Sequence, residues 1–335
     1  INRLGALPHN ANLFGRNLLN NGDFSIWQRG TSQTSSGYGS DDRWSNVSTG
    51  STKVSDRQAF AVGQSVVTDN PTYYARTVVT SVAGAANQVV KIQKIEGVQK
   101  TSGETVTLTF WAKADSAKNM AVEYIQNFGT GGSPSSTVTA IGVTTVALTT
   151  SWVKQTVTIV LPTVSGKTLG TDLNDYLQLT MWFDAGSNHD ARSNSLGQQS
   201  GTFDIANVQI ELGVTATDFE YVLPADQIAR CHRYFERLDL ASSSVIGTAH
   251  CLSTTSSIAH LGYSLKRAIP TLSQSGVFNT LTAVGGAAPS PVLTFVIPNT
   301  TSVRLSMAVS SGLVAGNASA IITGSAATID IDAEL

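Results

Sequence analysis

Charged side chains are scarce in this chain. Asp, Glu, Lys and Arg make up 13% of its 335 residues and sum to a net charge of −2. No basic stripe is present, which argues against a nucleic-acid partner. Cysteine is rarer still. Cys231 and Cys251 are the only two, too few for a disulfide framework. They read as reduced, buried small hydrophobes, with a single bridge between them as the alternative. No apolar run approaches the roughly 20 residues of a membrane-spanning helix, so no membrane insertion is expected. Ile1-Asn2-Arg3-Leu4-Gly5 lacks the charged start and long apolar core of a secretory leader, so no signal peptide is expected. No internal repeat stands out.

Catalytic signatures are missing as well. There is no Gly-x-Ser-x-Gly elbow. Ser165-Gly166-Lys167-Thr168 mimics the end of a phosphate-binding loop, but Leu161 stands where that loop needs its first glycine. The segment reads as a plain turn. No HExxH or paired CxxC is present, which argues against zinc. Glycan hydrolysis needs two carboxylates facing each other across a cleft, and no spacing singles out such a pair. An enzyme is therefore not expected.

What is abundant is alternation. Thr105-Val106-Thr107-Leu108-Thr109-Phe110-Trp111 places apolar and polar side chains on opposite faces, as do residues 152–160 and 176–183. Period-two runs rich in β-branched and aromatic residues are half-buried strands. Turn-rich gaps such as Gly129-Thr130-Gly131-Gly132-Ser133-Pro134 separate them. The segments Asn17–Gly30 and Phe203–Gly213 also read as strands. First and last strands of a sandwich often lie side by side, so this pair brackets a closed domain. The fold expected is all-β, a jelly-roll sandwich joined by a short helix to a C-terminal β-sandwich-like domain.

Length suggests about two domains. Residues 1–16, with Pro8, Gly15 and three asparagines, read as an extended N-terminal segment. Residues 17–222 form the jelly roll. Residues 223–240 form a helical joint, because Ile228, Cys231, Phe235 and Leu238 fall on one helical stripe after Pro224. Residues 241–335 form the second β domain. It carries only Lys266, Arg267, Arg304, Asp330, Asp332 and Glu334 as charges, far fewer than a solitary soluble domain normally exposes. Burial of its surface between identical chains is expected.

All five tryptophans, at 27, 44, 111, 152 and 182, fall in the first domain. Aromatic faces stack on the apolar faces of sugar rings, so each tryptophan is either core or binding platform. Trp111 and Trp152 lie in strongly alternating runs and read as core. Trp44 follows Asp41-Asp42-Arg43 at the end of a Gly/Ser-rich loop and reads as a surface candidate. Tyr73 and Tyr74 point to opposite faces of an extended segment, so one of them is a candidate. Trp182 is another, beside Asp184 and a polar loop. That loop, with Asp184, Asn188, His189 and Asp190, is either an oxygen-rich calcium site or a solvated hairpin loop. The candidate ligand-binding residues are thus Trp44, Tyr73, Tyr74, Trp182 and Asp184.

Several segments, taken in order, resemble a carbohydrate-binding-module-like jelly roll found in bacteriophage structural proteins. They are NLLNNGDFSIWQRGT from Asn17 to Thr31, Asp42-Arg43-Trp44, the strand Leu108–Ala114, the closing strand Phe203–Gly213 with Ala216–Tyr221, the segment Cys231–Glu236, and the tail Asp332–Leu335. The resemblance implies a phage tail fibre or receptor-binding protein: a virion component, non-enzymatic, homotrimeric, attached to other virion proteins through residues 1–16 and recognising host cell-surface polysaccharide. It transfers no binding residues. Related modules often hold a structural calcium ion between first and last strands. Here Ala206-Asn207 stands where they carry acidic residues, so no cofactor is expected beyond that one candidate ion. A head fibre or capsid-decorating protein is the alternative virion role. A polysaccharide depolymerase and a cellular carbohydrate-binding domain are the remaining readings.

Overall fold

A computed structural model of the chain describes residues 15–282, 287–290 and 293–335. The chain divides into two compact units, one ending at Gln227 and the other covering Ile228–Glu334. Residues 1–14 of the expected N-terminal segment lie outside the described residues.

The first unit contains strands β1 (Ser32–Gln33), β2 (Ser45–Thr49), β3 (Thr52–Ala59), β4 (Tyr73–Thr80), β5 (Gln88–Glu96), β6 (Thr105–Ala114), β7 (Lys118–Asn127), β8 (Val138–Leu148), β9 (Val153–Val160), β10 (Tyr176–Ala185) and β11 (Gly201–Leu212). A short helix, α1 (Asp190–Ser193), lies between β10 and β11. The strands form two antiparallel sheets, ordered β1-β3-β4-β11-β6-β9 and β2-β5-β10-β7-β8. The chain changes sheet repeatedly, so strands distant in sequence become neighbours, and the two inner faces close on one core. This is a jelly-roll sandwich.

The alternation in the sequence decides which face is which. Val106, Leu108, Phe110 and Ala112 of β6 point into the core, as do Val157 and Ile159 of β9 and Leu177, Leu179, Met181 and Phe183 of β10. Every expected strand from Thr105 onwards is present. The segment from Asn17 does lie against β11, with Leu18 N donating to Ile210 O at 2.9 Å and Val208 N donating to Gly22 O at 2.8 Å. It is not a strand, however. Asn21 and Phe24 adopt left-handed backbone angles (φ 55° and 56°), which interrupt any ladder.

The helix α2 (Pro224–His232) leads to β12 (Phe235–Leu240). The expected helical stripe through Leu238 is therefore corrected. The helix stops at His232 because Phe235–Leu240 pairs along its whole length with the strand Ala327–Asp332, and tertiary pairing overrides local spacing.

The second unit continues with β13 (Val245–Cys251), β14 (Ser256–Gly262), β15 (Thr271–Ser275), β16 (Phe278–Thr282), β17 (Ala287–Ser290), β18 (Leu293–Val296), β19 (Ser302–Ala308), β20 (Ala318–Thr323) and β21 (Ala327–Asp332). A three-stranded sheet, β12-β21-β15, and a seven-stranded sheet, β17-β16-β20-β13-β14-β19-β18, share a core that includes Phe278, Leu305, Met307, Ile321, Ile329 and Ile331. This is the β-sandwich-like architecture expected. Neither Cys231 nor Cys251 is in a disulfide, and both are buried.

Candidate functional site

The outer face of the six-stranded sheet carries an unusual concentration of rings. Inward-facing Leu108, Phe110 and Ala112 leave Trp111 and Lys113 on the outside of β6. By the same parity Trp152 and Lys154 lie outside β9, since Lys154 pairs with Trp111. Ala75 and Val79 of β4 join the core, which turns Tyr74 and Arg76 outward. Phe60 extends the hairpin between β3 and β4, its N–H donating to Thr72 O at 3.0 Å.

Three of these rings meet. Phe60 and Tyr74 have centroids 4.8 Å apart, Phe60 and Trp152 5.3 Å, and Tyr74 and Trp152 5.2 Å in an edge-on arrangement. All three side chains are half-buried, so their exposed parts form a platform. The small Ala206 of β11, opposite Trp111 in register, is fully buried in the same sheet.

Charge borders the platform. Asp204, outward on β11, is only 3% exposed in its side chain. It accepts two bonds from Arg76, Nε to Oδ1 at 2.7 Å and Nη2 to Oδ2 at 2.8 Å. Such a bidentate pair is both strong and directional. Arg76 Nη2 also donates to the Tyr74 hydroxyl at 3.3 Å. Lys113 Nζ stands 3.5 Å from Asp204 Oδ2 and 5.3 Å from the Trp152 ring centroid. Burial raises the Tyr74 phenol above its ordinary pKa, the Asp204 charge adds to this, and Arg76 opposes it. The hydrogen bond to Asp204 holds the Arg76 guanidinium firmly charged. Together the face offers apolar ring surface for stacking and several N–H donors.

Of the residues singled out by sequence, Tyr74 alone belongs to this cluster. Tyr73 is half-buried with the opposite parity, its ring 4.5 Å from the Arg57 guanidinium carbon. Trp44 is corrected from surface to core. It is fully buried, its Nε1 donates to Asn21 O at 3.0 Å, and its ring packs 5.3 Å from Phe24. Trp182 is corrected likewise. It faces outward from β10, but the chain after β10 covers it with His189, Arg192 and Leu196, and its Nε1 donates to Glu123 at 3.3 Å.

Asp184 is buried and structural. Its carboxylate accepts from Ser51 Oγ at 2.6 Å, Ser81 Oγ at 2.8 Å and Gln199 N at 2.8 Å. The polar loop after it forms a short helical turn and α1 in place of a hairpin loop. Among the described residues no three His, Cys, Asp or Glu side chains converge, and Ala206 offers only a methyl group. The residues present do not fit a calcium ion. Conversely, Trp111 and Trp152, expected in the core, are half-exposed. Phe60, Arg76, Lys113 and Asp204 were not expected at a site. The parity of β6 and β9 was the signal that pointed to this face.

No protein-family model matches the chain, and no curated protein matches it. Among solved structures it is similar to a carbohydrate-binding module described as CBM4, at 17% identity over 58% of this chain and 99% of that one, with a TM-score of 0.32. It is also similar to the family 11 carbohydrate-binding module from Clostridium thermocellum in complex with a β-1,3-1,4-mixed-linked tetrasaccharide, at 10% identity over 56% of this chain and 98% of that one, TM-score 0.33. A third similar structure is the enzymatically active domain of tailspike protein 4 of bacteriophage CBA120, at 13% identity, TM-score 0.33. There 59% of this chain aligns with 22% of that one. The jelly-roll assignment of the first unit rests on its own strand order.

Proposed function

We propose that the chain is a non-enzymatic virion fibre protein that recognises host-surface glycan through the outer face of its six-stranded sheet. The observation that carries this reading is the half-exposed triad Phe60, Tyr74 and Trp152. Exposed rings gathered on a rigid sheet, bordered by N–H donors, suit the apolar faces and hydroxyls of sugars. The virion assignment is supported by the ordered sequence motifs from Asn17 to Glu236, and residues 1–16 are proposed as the attachment segment. Absence of enzymatic activity is supported by the state of Asp204, whose carboxylate is occupied by Arg76 and is poorly placed to act as acid or nucleophile.

A homotrimer belongs to the same proposal. The second unit exposes Leu265, Ile269 and Ile297 at 60%, 64% and 75% on a surface with few charges, which suits burial between copies. Repeating a weak sugar site three times raises avidity by ~100-fold or more. The test is adsorption competition: host cells are incubated with purified protein and free phage are then counted. Dose-dependent blocking by the native chain, and its loss in Trp152→Ala, is the expected result. A folded native chain that fails to block overturns the receptor-binding reading, and light scattering that gives a monomer at micromolar concentration overturns the trimer.

A further inference from the structure

We propose that the glycan bound on this face is acidic, with sugars that carry carboxylates. The inference rests on the glycan-recognition reading above and adds the charge of the ligand. It comes from an inventory of donors and acceptors around the rings.

Three cations line the face: Arg76, Lys113 and Lys154. Of the carboxylates on it, Asp204 and Asp56 gather at Arg76, and Glu211, outward on β11 opposite Thr107, is engaged by Thr217 N at 2.8 Å and Thr217 Oγ1 at 2.7 Å. Asp204 grips Arg76 bidentately, and Asp56 is the cross-strand neighbour of Arg76 on β3 and adds to its field. Lys113 reaches Asp204 only at 3.5 Å, outside good hydrogen-bond range, and its side chain keeps 28% exposure. Lys154 is exposed, and its Nζ contacts Thr217 O at 3.5 Å. Two ammonium groups therefore flank the indoles of Trp152 and Trp111 with their donor capacity largely unused.

An ammonium donates three bonds and accepts none. A neutral sugar presents hydroxyls that must both donate and accept, and its sites usually answer with amides and open carboxylates. Here the buried carboxylates Asp204 and Glu211 are already engaged, and although the Gln58 amide lies across from Tyr74, the charged groups beside the rings are donors only. Such a surface is matched to a ligand with surplus acceptors and negative charge. A uronic or sialic acid unit supplies both: its ring stacks on Trp152 and Tyr74 while its carboxylate meets Lys113 and Lys154. Charge-assisted bonds of this kind are stronger than neutral ones, and at an exposed face they weaken with salt.

The experiment is calorimetric titration of the full chain with polygalacturonate, alginate, hyaluronan and α-2,8-polysialic acid, each paired with its carboxyl-reduced, neutral form. The expected result is binding to at least one acidic polymer, about tenfold weaker to its reduced partner. Lys113→Met and Lys154→Met, both folded by circular dichroism, should each lower affinity for the acidic polymer several-fold more than affinity for its reduced, neutral partner. Equal or tighter binding to a reduced form, or full affinity in both lysine variants, overturns the acidic assignment. If neutral polymers bind and Trp152→Ala abolishes that binding, the glycan site stands and only the acidic class falls. If no polymer of either kind binds, both proposals fall.

Discussion

The indole of Trp152 meets the phenol of Tyr74 edge-on at 5.2 Å, although two strands, β11 and β6, separate β4 from β9. Ala206 on the intervening β11 is fully buried, and Phe60 closes the triangle of rings. Aromatic pairs of this geometry contribute about 0.5–1.5 kcal/mol each beyond their burial. All three residues keep partial exposure, which a sealed satellite core would not.

That separation is measurable. Trp152→Ala removes two ring contacts from a half-exposed cluster and should cost about 1–3 kcal/mol of stability. Glycan affinity should fall roughly tenfold or more. Trp44→Ala deletes a fully buried indole and should cost about 3–5 kcal/mol. Urea denaturation of both variants checks the ordering. Equal losses would show Trp152 to be structural.

Much of this was legible in the sequence. The strands from Thr105 onward announced themselves by alternation, and that alternation already placed Trp111 outside, among Thr107, Thr109 and Lys113. Reading Trp111 and Trp152 as core ignored the parity. Trp182 could not be placed the same way. Parity turns it outward too, and only the tertiary fold of residues 186–196 buries it. Trp44 follows a loop rich in small residues, yet the left-handed turn at Arg43 (φ 70°) delivers it to the core beside Phe24. Phe60 and Tyr74 meet across the β3–β4 hairpin, but Trp152 joins them from beyond β8, and no local pattern encodes that meeting.

Inside the first unit, Lys91 donates to the Asp41 carboxylate with both side chains sealed from solvent, and to Asn46 Oδ1 at 2.6 Å. Burial lowers the Lys91 pKa, while the charge and hydrogen bond of Asp41 oppose that shift. Asp41→Asn keeps the shape and leaves the ammonium without its counter-ion. It should destabilise the unit by about 3–5 kcal/mol. The double variant Asp41→Asn, Lys91→Met should recover part of that loss. A double variant no more stable than the single one would contradict this account.

Lys53 carries a pH signature. It is 3% exposed and donates to Ser35 O at 2.8 Å. Burial, reinforced by the Lys91 charge and opposed by Asp41, lowers its pKa from 10.5 to about 8. Between those two values the unfolded chain holds a proton that the folded chain has released. Stability therefore rises with pH across this window. Lys53→Met should remove that contribution, on the order of 3 kcal/mol across the full window. Denaturant titrations of the native chain and the variant from pH 7 to 10.5 give the difference, which isolates Lys53 from other lysines. Parallel curves would refute the shift.

The closure of the sandwich depends on one glycine for reasons of space. A Cβ on Gly22 would lie 2.1 Å from Val208 O and 3.1 Å from Asn17 Nδ2. Those groups fasten the N-terminal segment to β11: Val208 N donates to Gly22 O at 2.8 Å, and Asn17 Nδ2 donates to Val208 O at 3.1 Å. The obstacle is backbone and cannot rotate away. Gly22→Ala should therefore push the segment off β11 and cost several times the penalty at Gly166. There φ is +77° and nothing lies within 4 Å, so alanine incurs only the left-handed backbone cost of about 1–2 kcal/mol. Thermal unfolding of the two variants decides the matter. If Gly22→Ala melts within a degree or two of Gly166→Ala, the segment is not clamped to β11 and the bracket that closes the first unit lies elsewhere.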